Sequence, residues 1–205
     1  QRGSTEALAA VAGSQYDPAA IRNRYIVPVD GGEFRFTHAL VRDAIYDTLL
    51  GPVRRNLHAR AAAYFAGRDL PLHARHLALA GDPGASDAYR AAAALAMDMA
   101  AFDLAAELAA AGLTLSPQPA TVSDLALMQG RALASLGQTQ DAIAAFGRAI
   151  QSAGDGVSRA RAEIALASAL RVVERSDEAF QLLAEAETRL ENTEALSDLA
   201  DLWSL

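Results

Sequence analysis

The chain is 205 residues long, 52% apolar and without cysteine, and its 18 basic residues face 25 acidic ones for a formal charge of -7. That length can bury a real core as one elongated unit or two small domains, but it offers no disulfide framework, no leader-like segment and no apolar run near the roughly 20 residues that span a bilayer, so a reducing, cytoplasmic setting is expected. All the basic residues are arginine and roughly a quarter of the chain is alanine, which points to a mainly α-helical protein from a GC-rich genome.

Taken in chain order, the first helix signal runs from Glu6 to Ala12. Asp17 followed by Pro18 starts a short helix through Arg24, since proline suits a first helical turn. Two strands follow, Tyr25 to Val29 and Glu33 to Thr37, joined by Asp30, Gly31 and Gly32. Phe34 and Phe36 alternate with polar neighbours, a glycine-containing loop of this length suits a hairpin, and Pro28 places its strand at an edge. Thr37 can then cap a helix from His38 to Leu50 with Leu40, Val41, Ala44, Ile45 and Leu49 as its buried stripe. Helix, short helix, two-stranded wing and helix is the order of a winged-helix domain, expected over residues 1–51.

The stretch FRFTHALVRDAIYDTLLGPVRRNLHARAAAYFA (34–66) resembles the junction in large signalling ATPases of the STAND class, especially bacterial ones carrying a cyclase or a LuxR-type DNA-binding module. Phe34, Phe36, His38, Ala39, Leu40, Arg42, Ala44, Tyr46, Arg55, Leu57 and His58 stand where that family tends to have them. The resemblance covers about residues 5–80. It implies a winged helix that ends an ATPase module, with helical repeats to follow, and it gives His38 a role: a histidine at the start of this helix contacts the phosphate of bound ADP. Free backbone N–H groups at a helix N-terminus and a nearby imidazole suit an anion; the plainer reading is a hydrogen bond anchoring wing to helix. No GxxxxGK[ST] loop occurs in the chain, so ATP or ADP, and a nucleotide-binding domain in cis, belong to a longer protein.

A winged helix can also bind DNA, and Arg22 and Arg24 lie on the short helix that would enter a groove. Asp17, Asp30, Glu33, Asp43 and Asp47 accompany them, so a mixed, solvated surface is the better reading and nucleic acid is not an expected partner. Residues 52–85 read as a linking helical hairpin closed by a turn at Gly81, Asp82, Pro83 and Gly84. Within it, His73 and His76 could share a helical face with His58 nearby, but zinc wants three or four ligands, so no metal site is assigned. Neither a GxSxG elbow nor an acid pair in a recognisable site supports an enzyme.

From residue 86 the sequence repeats itself every 37 residues. Ala105, Ala142 and Ala179 each have a small residue twelve positions earlier (Ala93, Gly130, Ala167) and another seven later (Gly112, Ala149, Ala186), with Ala109, Phe146 or Leu183 four after the alanine. Small residues at fixed offsets mark the lines where two helices cross closely, and Leu95, Leu108, Leu133, Phe146, Leu166, Leu170 and Leu183 should fill the space between them. The frame resembles the tetratricopeptide repeat, best in GRALASLGQTQDAIAAFGRAI (130–150); Ala109 replaces the large residue of the first unit, and Glu174 stands at the turn where the middle unit has Gly137. Units are expected over 86–122, 123–159 and 160–196, with a terminal helix from Ala195 to Leu205 carrying Leu196, Leu199 and Trp203. A period of 37 against the usual 34 or so implies longer turns, at Ser116 to Thr121 and Ala153 to Val157.

An α-solenoid of such hairpins presents the first helix of each unit to a partner. By register the groove is lined by Arg90, Ala94, Met97, Leu127, Arg131, Ala134, Ile164, Ser168 and Arg171, with Arg161 beside them, and its arginines suit an extended acidic or mixed segment of a protein. The alternative for each arginine is pairing with a neighbouring carboxylate. Residues 61–205 hold ten arginines against 19 acids, a balance that suits neither nucleic acid nor an acidic membrane. The expected function is a non-catalytic regulatory and interaction region of a multidomain signalling ATPase, with the chain a piece of something longer and its terminal helix able to pair as a dimer. The alternatives are a freestanding repeat adaptor and, less favoured, a winged-helix DNA-binding regulator.

Overall fold

The computed structural model describes residues 2–13, 26–29, 31, 33–36, 39–115 and 118–191. Thr37 and His38, the short helix expected through Arg24, and the terminal helix with Trp203 lie outside these residues. The chain forms two compact units, Gln1–Ala85 and Ser86–Leu205.

In the first unit the described elements are β1 (Arg2–Ser4), α1 (Thr5–Ala12), β2 (Ile26–Val29), β3 (Glu33–Phe36), α2 (Ala39–Thr48), α3 (Gly51–Phe65) and α4 (Leu70–Ala80). The expected hairpin is β2–β3, with Pro28 opposite Phe34. A strand not foreseen from the sequence, β1, pairs on the other side of β3 with Gly3 opposite Phe34, giving an antiparallel sheet ordered β1-β3-β2. Pro28 therefore sits on an edge strand, where a missing N–H costs no ladder bond. Ser4 ends β1 and caps α1, its hydroxyl accepting from the Ala7 N–H at 3.4 Å.

The stripe expected to be buried between His38 and Leu50 holds at Leu49 but not at its other described positions. Leu40 is 83% exposed and Ile45 47%, and Ala44 is exposed as well. Leu49, just past the end of α2, and the half-covered Tyr46 line an apolar pocket with α1 and α3. Polar ties reach Tyr46 as well: it hydrogen-bonds His58, and the Arg54 guanidinium lies 5.2 Å from the centre of the Tyr46 ring. Helices α3 and α4 form a hairpin over buried Ala61, Ala62 and Ala74. Asp69 caps α4 by accepting from the Leu72 N–H at 2.9 Å, and Gly81 ends it in the left-handed region at φ +74, as helix ends favour.

The second unit is built from three helical pairs: α5 (Ala85–Asp98) with α6 (Phe102–Leu113), α7 (Pro119–Ser135) with α8 (Thr139–Ser152), and α9 (Gly156–Val172) with α10 (Ser176–Leu190). This is a mainly α, tetratricopeptide-like solenoid. Every small residue of the 37-residue frame is buried, Ala93, Ala105, Ala142, Ala149, Ala167 and Ala186 fully so. The close approach is physical necessity at two of them. A Cβ on Gly130 would run into the ring of Phe146, and one on Gly112 would come within 2.9 Å of Leu125 and 3.0 Å of Tyr89.

The turn inside each pair also recurs at the same spacing, at Ala100 (φ +54), Gly137 (φ +75) and Glu174 (φ +62). The chain thus needs the left-handed conformation at all three turns and has glycine at only one. Between units part of the extra length goes into helix, and Ser116 of the first expected turn lies outside the described residues. α7 and α9 each have 17 residues against 14 for α5. Both expected turns overrun helix: Thr121 lies in α7, which starts at Pro119, and Val157 lies in α9, because Asp155 caps that helix, its carboxylate accepting from the Ser158 N–H and hydroxyl, each at 2.8 Å. Those bonds hold the Asp155 carboxyl below the usual carboxylate range, the Ser158 backbone bond first.

Buried alanines contribute little each, on the order of 0.8 kcal/mol per methyl-sized group, so the larger side chains decide the stability. Phe146, Leu108 and Leu170 are buried as expected, but Leu95 is 44% exposed, while Leu125 and Leu190 are fully buried without having been singled out. Glu163 is also buried. Its two oxygens accept from Arg159 Nε at 3.1 Å and Arg189 at 3.0 Å, which ties α9 to α10.

Candidate partner-binding groove

A groove of about 660 Å³ crosses the second unit, within the range of sites that hold ligands. Its walls come from α5, α7 and α9, the first helix of each pair, and from the turn and second helix of the middle pair. The sequence explains the opening. Small residues at Ala134, Gly137, Ala165 and Ala169 leave space, the Phe146 ring, drawn close by Gly130, forms part of the floor beside Met97 and Ile164, and exposed Val172 also lines the opening.

Of the residues assigned to the groove from register, Met97, Arg131, Ala134, Ile164 and Ser168 line it. Four do not. Leu127 packs into the core against buried Ala126 and Phe146 clusters, since its place on α7 faces the partner helix. Arg90 lies 3.7 Å from both Asp87 and Asp124, the carboxylate pairing weighed for it. Ala94 and Arg171 fall outside the lining, and Arg161 is likewise exposed elsewhere.

Arg131 is the remaining cation. Among the described residues its exposed guanidinium has no carboxylate partner. The nearby hydroxyls are turned back on their own helices: Ser135 donates to the Arg131 carbonyl and Ser168 to the Ile164 carbonyl, both at 3.0 Å. The groove therefore offers one positive charge above an apolar floor. Gly137 and Thr139, at the start of α8, were not anticipated as lining; they enter because the turn itself forms the rim.

Residues 123–203 match the family described as Tetratrico peptide repeat. The matched stretch takes in the second helical pair from Ser123 onward and the whole of the third, and with them most of the groove. Among curated proteins none matches the chain. A solved mutant of MamA is similar at 22% identity with a TM-score of 0.48, over 75% of this chain and 81% of that one.

The histidines of the first unit arrange themselves differently from their spacing. His73 and His76 do not converge: His73 Nδ1–H donates to the Ala62 carbonyl at 2.8 Å, whereas His76 Nδ1 lies 3.0 Å from His58 Nδ1. Among the described residues no group of three or more histidines and carboxylates is placed to hold a metal ion. No described helix is long and apolar enough to cross a membrane.

Proposed function

We propose that this chain is a non-catalytic interaction arm whose repeats hold an extended segment of a protein partner in the groove of the second unit. The single observation that carries this reading is the unpartnered Arg131 guanidinium over the apolar floor of Met97, Phe146 and Ile164. It fits a segment that sets a carboxylate beside a large apolar side chain, since a charge-assisted bond to arginine fixes register and the floor supplies buried area. Selection of short random peptides on the protein tests it. Enriched peptides should carry Asp or Glu next to Leu, Ile, Met or Phe and should lose at least tenfold in affinity to Arg131→Glu, about 1.4 kcal/mol. Peptides of no common charge, or indifference to Arg131→Glu, would contradict it.

In the finer reading, the arm belongs to a multidomain signalling ATPase of the STAND class and passes partner binding to a nucleotide switch in that longer protein. The support is the resemblance over about residues 5–80, together with a sheet ordered β1-β3-β2 whose β2–β3 hairpin precedes α2, as in a winged helix. His38 is then proposed as the contact to the ADP phosphate. Replacing His38 in the longer protein and measuring ADP retention checks that role, unchanged retention counting against it. A freestanding adaptor accounts for the repeats equally well, and the reading frame decides: a GxxxxGK[ST] motif upstream favours the ATPase, and a start codon beside residue 1 favours the adaptor.

A further inference from the structure

We infer that Tyr46, His58 and His76 form a proton-operated latch that holds α2, α3 and α4 of the first unit together near neutral pH and releases α2 when both imidazoles are charged. The three side chains make a continuous chain across three successive helices. Tyr46 Oη lies 2.9 Å from His58 Nε2, and His58 Nδ1 lies 3.0 Å from His76 Nδ1. The His76 ring is stacked on Phe65 at 5.5 Å between centres and 3° between planes, which fixes its orientation.

A contact between two Nδ1 atoms needs one proton between them. With both rings neutral, each of the two contacts holds one proton in either direction. Tyr46 donates to His58 Nε2 while His58 Nδ1–H donates to His76, or His76 donates to His58 while His58 Nε2–H donates to Tyr46. One added proton is still accommodated, because the Tyr46 hydroxyl can accept where it previously donated. A second is not. It sets N–H against N–H at a separation that held a hydrogen bond, and adds a like-charge pair.

Burial and two arginines oppose that second charge. Arg54 on α3 and Arg75 on α4 are the cations that bear on the pair, and Asp47 on α2 lies 4.0 Å from Arg54. From α1 the site meets Ala7, Leu8 and Val11, with the single acid of that helix, Glu6, exposed; from β3 it meets Phe34. Both imidazoles are held below the usual histidine range. For His58 the causes are burial, then Arg75, then Arg54; for His76 they are burial, then His58, then Arg75. The sign follows from those depressed values: the open state takes up protons that the closed state refuses. Closure is therefore fully favoured above the ordinary histidine range and weakens as pH falls below it, by up to tenfold per pH unit for each proton of difference.

Release would act on α2 because three ties from it to α3 meet at this corner: Tyr46 to His58, Arg54 over the Tyr46 ring, and Arg54 near Asp47. The test is amide hydrogen exchange on the whole chain at about pH 7.5 and about pH 5, corrected for intrinsic rates, on either side of the ordinary histidine value. Protection of α2 should fall roughly tenfold or more relative to α8. His76→Gln leaves His58 as the one titrating member of the chain and should reduce that loss at least about threefold, whereas His73→Gln should keep it in full. Equal loss in His76→Gln, or no loss in the parent chain, overturns the latch. Should His76→Gln fail to fold, the imidazole proton resonances of the parent chain decide: two separate titrations below the ordinary value support the pair, and a joint ordinary titration refutes it.

Discussion

Glu174→Gly should stabilise the second unit. Glu174 closes the turn between α9 and α10 at φ +62, the place that Gly137 fills at φ +75 in the preceding pair. A residue with a Cβ in the left-handed region costs about 1–2 kcal/mol relative to glycine, and the greater freedom of glycine in the unfolded chain returns about 0.5–1 kcal/mol of that. The Glu174 side chain is exposed and makes no ion pair among the described residues, so little else is lost. The net gain is about 0.5–1 kcal/mol, or on the order of 2–5 °C in melting temperature for a unit of this size. Ala100→Gly should act alike, and the two should add, because their turns share no partner. The reverse change, Gly137→Ala, should cost about 1 kcal/mol. Thermal and urea unfolding followed by far-ultraviolet circular dichroism reads all of these. If Glu174→Gly leaves the midpoint unchanged while Gly137→Ala costs nothing, the recurring left-handed turn is not a determinant of this fold.

Gly130→Ala gains about 1 kcal/mol of helix propensity but drives a methyl into Phe146; overpacking of about 1–3 kcal/mol should win, with a lower urea midpoint. Arg189→Ala strips one partner from the buried Glu163 carboxylate and should cost about 3 kcal/mol in the same assay. Asp155→Ala removes the cap of α9 at about 1 kcal/mol. Because the Asp155 carboxyl titrates low, its contribution is complete above the ordinary carboxylate value and fades as pH falls through its depressed one, so parent and variant should converge in acid. Leu133, half-buried against the Phe146 cluster, should lose about 2 kcal/mol as Leu133→Ala.

The repeat was legible because its signal is steric. Alanine or glycine at nine spaced positions can mean little other than helices in close contact, and each of these residues is buried. Register also brought Met97, Arg131 and Ile164 to one groove, but it could not show that Leu127 turns into the core or that Arg90 finds Asp87 and Asp124, since both depend on the crossing of neighbouring helices. The face of α2 was misjudged in part for a related reason. Apolar periodicity favoured Leu40 and Ile45, which are exposed, along with Leu49, which lines the pocket, and it could not show that Tyr46 meets a histidine twelve residues away. β1 was missed because three residues carry no period, and the meeting of His58 with His76 follows from the α3–α4 hairpin, not from any spacing between them. Sequence identified the short-range chemistry; the long-range partners needed the fold.

The central claim is that the groove of the second unit receives the partner. Methyl and amide resonances of the protein, followed as a selected acidic and apolar peptide is added, test it most directly. Shifts concentrated on Met97, Ala134, Ile164 and Ser168, and abolished by Arg131→Glu, are the expected result. Shifts confined to the exposed face of α10 around Phe180, 69% exposed, or to the first unit, with Arg131→Glu still binding normally, would contradict it.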